Sequence, residues 1–185
     1  MSELFVKVCG ITTVEQLRWA IELGYDAIGL MRVPHSNRLI DVETARELVK
    51  HADGRIKTFA VGLTLEHVKP LQDVVDTVQL YEPAQVDSLA LASATPPEST
   101  DGLDYWFYDP SHGTGTRTEV PDWVHDVKAP FILAGGLNPE NVAEVIAAYQ
   151  PDGVDVSSGV ESRPGQKDYH LMKAFIEAVR GTQQQ

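Results

Sequence analysis

A single cysteine is all the thiol chemistry this chain carries, so Cys9 has no internal disulfide partner. A lone thiol suits a reducing cytosol, and a cytoplasmic location is expected. Long apolar runs are missing too: none approaches the roughly 20 residues of a bilayer span, so no membrane partner is expected. Met1-Ser2-Glu3-Leu4 brings neither a basic start nor a long apolar stretch, and no secretory leader is expected there. Positive charge is scarce, with 15 Lys and Arg against 27 Asp and Glu and a formal net charge of −12. That argues against nucleic acid as a partner, which would need a basic surface. An acidic chain can still hold an anion where amide dipoles and one or two placed arginines do the binding. Low complexity is confined to Gln183-Gln184-Gln185, and no linker divides the 185 residues, which by length make one domain.

What the chain has is alternation. Apolar runs at 4–9, 27–32, 57–63, 77–81, 88–93, 105–109, 129–134 and 153–157 are joined by short connections and helical stretches. They are mostly apolar rather than alternating, as strands buried on both faces are. Eight such runs predict an α/β fold, a closed (β/α)8 TIM barrel over residues 1–185. Helices are expected at 14–24, between Thr13 and Gly24, and at 42–52 behind Asp41. Another is expected at 66–76 through Val68, Leu71 and Val75, with Pro70 near its start. The last two are 139–149, capped by Asn138 with Pro139 first, and 168–180, with Leu171, Met172, Phe175, Ile176 and Val179 on one face.

The alternation weakens over 82–104. Residues 82–87 leave room for one or two helical turns, and Thr95 to Asp104 reads as a loop. Two barrel helices are therefore expected to be abbreviated or missing, which explains a length below the roughly 250 residues usual for the fold. Apolar surface left bare by such shortening is what a homodimer would cover.

The last third repeats one device. Phe131-Ile132-Leu133-Ala134-Gly135-Gly136 and Gly153-Val154-Asp155-Val156-Ser157-Ser158-Gly159 are strands that end in small residues and open into the next element. Consecutive strand ends of this kind can cradle one phosphate on bare backbone amides. After strands seven and eight of a barrel, that is where a phosphate commonly sits. Gly135, Gly136, Ser157, Ser158 and Gly159 are thus the expected phosphate-binding residues, and a small phosphorylated molecule the expected substrate. Read blandly, the same glycines only permit tight turns.

Several motifs in one order resemble the phosphoribosylanthranilate isomerase family of tryptophan biosynthesis. They are Lys7-Val8-Cys9-Gly10-Ile11-Thr12, Pro34-His35-Ser36-Asn37-Arg38, Val78-Gln79-Leu80, and Gly113-Thr114-Gly115 with Asp122-Trp123. Leu133 to Val142, Val154 to Glu161, Pro164-Gly165 and Lys167-Asp168 complete the set, so the resemblance runs from about residue 5 to 180. It implies an Amadori rearrangement of N-(5′-phosphoribosyl)anthranilate to the 1-deoxyribulose 5-phosphate. A general acid opens the furanose, a general base removes the C2′ proton, and the iminium nitrogen is the electron sink, so no metal and no organic cofactor is implied.

By the same resemblance Cys9 is the base and Arg38 faces the anthranilate carboxylate, a pairing that suits a guanidinium fork. Lys7, two residues back on the same strand face, is expected to favour the thiolate and lower the thiol pKa slightly. Taken alone, a lone cysteine is as well an inert buried side chain. The acid is expected at Asp122, which keeps the Asp-Trp pair, although ungapped counting from Gly115 lands on Glu119. Asp122 is also a plain helix N-terminal acid. Asp109, at the sixth strand end, is expected to position the Gly-rich loop or the sugar hydroxyls. His35 and His112 lie in loops at the same mouth, without the spacing of metal ligands. One departure stands out: the fourth-strand motif usually continues His-Gly, where this chain has Tyr81-Glu82. Two other readings stay open, a different sugar-phosphate isomerase or epimerase, and a catalytically weakened phosphate-binding barrel serving as a partner subunit.

Overall fold

A computed structural model describes residues 3–110 and 119–184. The eight apolar runs form β1 (Phe5–Cys9), β2 (Ala27–Met31), β3 (Lys57–Val61), β4 (Thr77–Leu80), β5 (Leu89–Ser93), β6 (Leu103–Tyr108), β7 (Phe131–Leu133) and β8 (Gly153–Val156). They pair in parallel and in sequence order, and β8 closes the barrel on β1 with Lys7 opposite Asp155.

Strands apolar on both faces along most of their length are explained by two cores. Cys9, Ala27, Phe59, Ala90, Phe107 and Ile132 fill the inside of the barrel. Their sequence neighbours, among them Val8, Ile28, Ala60, Leu91 and Trp106, point outward into the layer under the helices. At the N-terminal end the inside is an aromatic floor: Phe5 stacks on Tyr105 at 5.0 Å between ring centroids, and Phe59 meets Tyr105 at 5.6 Å. Above it lies the Lys7 ammonium, 5.1 Å from the Phe107 ring centroid.

The helices are α1 (Val14–Leu23), α2 (Val42–Ala52), α3 (Leu65–Val68), α4 (Val142–Tyr149) and α5 (Tyr169–Gly181). Thr13 accepts from the Gln16 amide, Asp41 from that of Thr44, and Asp168 from those of His170 and Leu171, so three starts follow their capping signals. Two expectations are corrected. The helix expected over 66–76 is α3 followed by a 3-10 turn, Lys69–Leu71. Pro70 has no amide proton for the next α-helical bond, yet Val68 and Leu71 are still buried. The helix expected from 139 starts at Val142, because the Asn138 side chain caps a turn instead, accepting from the Glu140 and Asn141 amides.

Among the described residues no helix follows β4 or β5, and a 3-10 turn, Asp122–Asp126, precedes β7. Large rings seal that wall in their place: Trp106 lies 5.8 Å from Trp123 and 5.7 Å from Phe131, and its Nε1 donates to the Ser93 hydroxyl at 2.9 Å. An unforeseen antiparallel hairpin, β9 (Glu161–Arg163) and β10 (Gln166–Lys167), stands between β8 and α5. Among the described residues no helix is long and apolar enough to cross a membrane.

Candidate active site

A cavity of about 610 Å³, open to solvent, occupies the C-terminal mouth; Cys9, Arg38, Tyr81, Asp109, Gly135, Gly136, Asp155, Ser157 and Ser158 are among its lining residues. β1 delivers Cys9 because inward positions alternate, Phe5, Lys7, Cys9. Opposite it on β2 stands Gly29, where a Cβ would lie 2.6 Å from the Cys9 Sγ, so only glycine leaves room for the thiol.

Lys7 is fully buried one step below, with Nζ 2.9 Å from Asp155 Oδ1. Burial opposes the lysine charge, but Asp155 and Cys9 outweigh it and hold the ammonium above its ordinary value. The carboxyl of Asp155 is raised by burial, with Lys7 pulling against it. The effect expected at Cys9 is therefore corrected. Burial pushes the thiol above its ordinary value; Lys7 lowers it, but Asp155 shields the thiol from that cation and adds to the rise.

Asp109 follows β6, two residues beyond the inward Phe107, and is buried in the cavity wall. The Tyr81 hydroxyl, at the end of β4, donates to its Oδ2 at 2.7 Å. Burial pushes the Tyr81 phenol far up, and the Asp109 charge adds to this, so the hydroxyl stays a donor. Asp122 is placed elsewhere. It opens the exposed 3-10 turn, and its neighbour Trp123 packs on Trp106 and Tyr108, the outward-facing residues of β6. Asp122 thus stands outside the barrel wall, and Glu119 is exposed as well. Neither lines the cavity. His35 is exposed, whereas Gly113, Thr114, Gly115 and His112 lie outside the described residues.

The two small-residue loops do meet. Gly135 and Gly136 have φ of 88° and 67°, a left-handed pair that glycine adopts without strain. A Cβ on Gly159 would lie 1.9 Å from the Leu137 carbonyl oxygen, so the β7 and β8 loops touch where Gly159 has no side chain. Asn141 Nδ2 ties back the Gly136 carbonyl at 2.9 Å. Among the described residues, no loop or turn hydrogen bond uses the amides of Gly135, Gly136, Ser158 or Gly159.

Arg38 reaches the mouth from the loop after β2 and is held by Glu161 of the hairpin, Nε to Oε1 at 2.7 Å and Nη2 to Oε2 at 2.8 Å. Lys167 Nζ meets the same Oε1 at 2.8 Å and the Ser157 carbonyl at 3.0 Å. Burial lowers the Lys167 pKa, with Glu161 resisting.

Of the residues expected from sequence, Cys9, Arg38, Asp109, Gly135, Gly136, Ser157 and Ser158 share the cavity, Gly159 backs it, and Lys7 lies beneath. Sequence reasoning assigned no role to Asp155, Tyr81, Glu161 or Lys167. A signal existed for the first: Lys7 and Asp155 are single charges inside otherwise apolar strands, and such charges must be paired. Among the described residues no group of three or more His, Cys, Asp or Glu is arranged to hold a metal ion.

Comparison with known proteins finds relatives of the same fold. The family profile of N-(5'phosphoribosyl)anthranilate (PRA) isomerase matches residues 96–178. The N-(5'-phosphoribosyl)anthranilate isomerase of Desulfitobacterium hafniense (strain Y51) is 35% identical, covering 95% of this chain and 97% of its own length. The crystal structure of TrpF from Jonesia denitrificans superposes with a TM-score of 0.84 at 30% identity, over 97% of this chain and 98% of that one. A phosphoribosyl anthranilate isomerase solved with reduced 1-(o-carboxyphenylamino)-1-deoxyribulose 5-phosphate matches with a TM-score of 0.70 at 28% identity, over 96% and 99% of the two chains. With relatives that similar along nearly its whole length and the same closed barrel, this chain belongs to the N-(5'-phosphoribosyl)anthranilate isomerase family.

Proposed function

We propose that the cavity isomerises N-(5′-phosphoribosyl)anthranilate to 1-(2-carboxyphenylamino)-1-deoxyribulose 5-phosphate, with Asp109 as general acid and Cys9 as general base. The observation that carries this reading is that Cys9 and Asp109 line one cavity whose rim holds two touching loops, the amides of which make no loop or turn hydrogen bond among the described residues. The phosphate docks on the amides of Gly135, Gly136, Ser158 and Gly159, whose dipoles supply positive potential on an acidic protein. The anthranilate carboxylate faces Arg38. The ribose then lies across the mouth, with β1 on one side and β6, three strands round the barrel, on the other.

Asp109 in its protonated form gives its proton to the ring oxygen, the C1′–O bond breaks and the nitrogen lone pair forms the iminium, leaving a carboxylate that the Tyr81 hydroxyl stabilises. Cys9 as thiolate takes the C2′ proton, and the electron pair left behind neutralises the nitrogen to give the enolamine, which tautomerises to the ketone. Asp109 replaces Asp122 in the acid role because its inward position on β6 puts its carboxyl at the cavity, whereas Asp122 lies behind the wall. A reaction that depends on one reduced thiol fits a reducing compartment.

The test is the loss of anthranilate fluorescence when purified protein meets freshly made phosphoribosylanthranilate. Cys9→Ala and Asp109→Asn are each expected to lower kcat by about 100-fold or more, the usual weight of one acid or base, while Asp122→Ala stays within about threefold. An Asp122 variant more damaging than the Asp109 variant overturns the assignment, and absence of turnover by the parent protein overturns the function.

A further inference from the structure

Glu161 is tied to two cations at the cavity mouth, yet the reaction just described makes no use of it. Its side chain is 3% exposed, that of Lys167 0% and that of Arg38 17%. Burial works against the glutamate charge, but the bonds to Arg38 and Lys167 outweigh it and hold the carboxyl below its ordinary value. A guanidinium has two forks that can grip a carboxylate, one between Nε and Nη2 and one between Nη1 and Nη2. Glu161 takes the first, through Nε at 2.7 Å and Nη2 at 2.8 Å. Among the described residues Nη1 makes no hydrogen bond, which leaves the second fork for another carboxylate. The stem of Arg38 is confined as well, since it crosses Gly10 so closely that a Cβ there would lie 2.4 Å from its Cδ. Lys167 supplies the other half of the arrangement. Two cations around one carboxylate leave a net positive charge, and Lys167 links it to the phosphate side through the Ser157 carbonyl at 3.0 Å.

We propose that Glu161 is a positioning and specificity-determining residue: by occupying one fork of Arg38 it aims the other at the cavity and makes the site select aryl amines that carry an ortho carboxylate. The inference rests on the reading that this cavity takes a phosphoribosylated aromatic amine. A substrate carboxylate completes a set of two cations and two anions. A substrate without one leaves the second fork unpaired in a half-buried place, which is costly for a charged group. Selection therefore comes from geometry fixed before the substrate arrives.

Two stable probes test this by calorimetry, an o-carboxyphenylamino-deoxyribulose 5-phosphate and its phenylamino counterpart. The parent protein is expected to bind the carboxylated probe about 100-fold more tightly, the weight of a charge-assisted bidentate pair. Glu161→Gln keeps the shape but not the charge. It is expected to cut that ratio to about tenfold or less, raise KM about tenfold and leave kcat within about threefold. The phenylamino probe binds as before. In an Arg38→Ala background, Glu161→Gln is expected to change the ratio by less than about twofold, because both act through one contact. Should the Gln variant fail to fold, Glu161→Asp, which draws the carboxylate back by about 1.5 Å, is expected to reduce the ratio in the same direction. An unchanged ratio, or equal weakening of both probes, overturns the inference while leaving the isomerase reading intact. Failure of the parent to bind either probe overturns both.

Discussion

A cysteine proposed as a base and buried beside a neutralised cation has a measurable signature. The thiol of Cys9 sits above its ordinary value because burial outweighs Lys7, whose charge is already met by Asp155 at 2.9 Å. It is therefore protonated at neutral pH, and each unit of rising pH increases the thiolate fraction about tenfold until its own pKa is reached. Iodoacetamide reads this directly, because Cys9 is the only cysteine and thiolate is the reacting form. Its alkylation rate is expected to climb from pH 6 to beyond about 8.5, the ordinary cysteine value, and kcat/KM is expected to climb with it. A plateau near neutrality means that the cation wins after all. The residues most legible in the sequence were those marked by type and local context: Cys9, Arg38 and the small-residue strand ends all converge on the cavity. The proposed acid, Asp109, was not legible in the same way. Leu103-Asp104-Tyr105-Trp106-Phe107-Tyr108-Asp109 carries large side chains on both faces, so its inward register shows only once the strand pairs. The Asp-Trp pair at 122–123 is conspicuous along the chain yet lies behind β6.

Among the elements, β6 bears the consequence of a shortened chain. Where helices after β4 and β5 would cover the barrel, Trp106, Tyr108, Trp123 and Phe131 form a ring cluster with centroid separations such as 5.7 Å for Tyr108 and Trp123. Each such ring removes roughly 150–250 Å² from water, enough to stand in for part of a helix face. Trp106 is fully buried, so Trp106→Ala is expected to lower stability by about 3–5 kcal/mol in urea unfolding, with a single transition retained. A cost below about 1 kcal/mol shows that the wall has no need of the ring. Eight strands and three helix starts were legible because burial on two faces and capping leave strong local patterns. The end of α3 and the start of α4 were not. Pro70 and the Asn138 side chain each have two local solutions, and tertiary contacts choose between them. The hairpin β9–β10 was invisible for another reason: strands of three and two residues have no period to detect. It nevertheless supplies Glu161 and Lys167 to the mouth.

At the scale of the whole molecule the dominant fact is the formal charge of −12. The barrel closes β1 on β8 and buries Lys7 with Asp155, and Lys167 with Glu161, where added salt screens them little. The exposed pairs are different. Arg46 and Asp73, 3.3 Å apart, and Lys173 and Glu177, 3.8 Å apart, are all close to half exposed or more, and such pairs contribute little. The surface term that remains is repulsion among acids that outnumber bases 27 to 15. Raising ionic strength from about 0.01 to 0.15 M shortens the Debye length from roughly 30 to 8 Å and weakens repulsion between separated surface charges most. Sodium chloride is therefore expected to raise Tm at pH 7 by a few degrees. The gain should shrink near pH 5, where the protein approaches its isoelectric point of about 4.8 and the repulsion fades. A fall in Tm on adding salt would mean that exposed ion pairs outweigh repulsion. An equal rise at both pH values would point to general salt exclusion rather than charge.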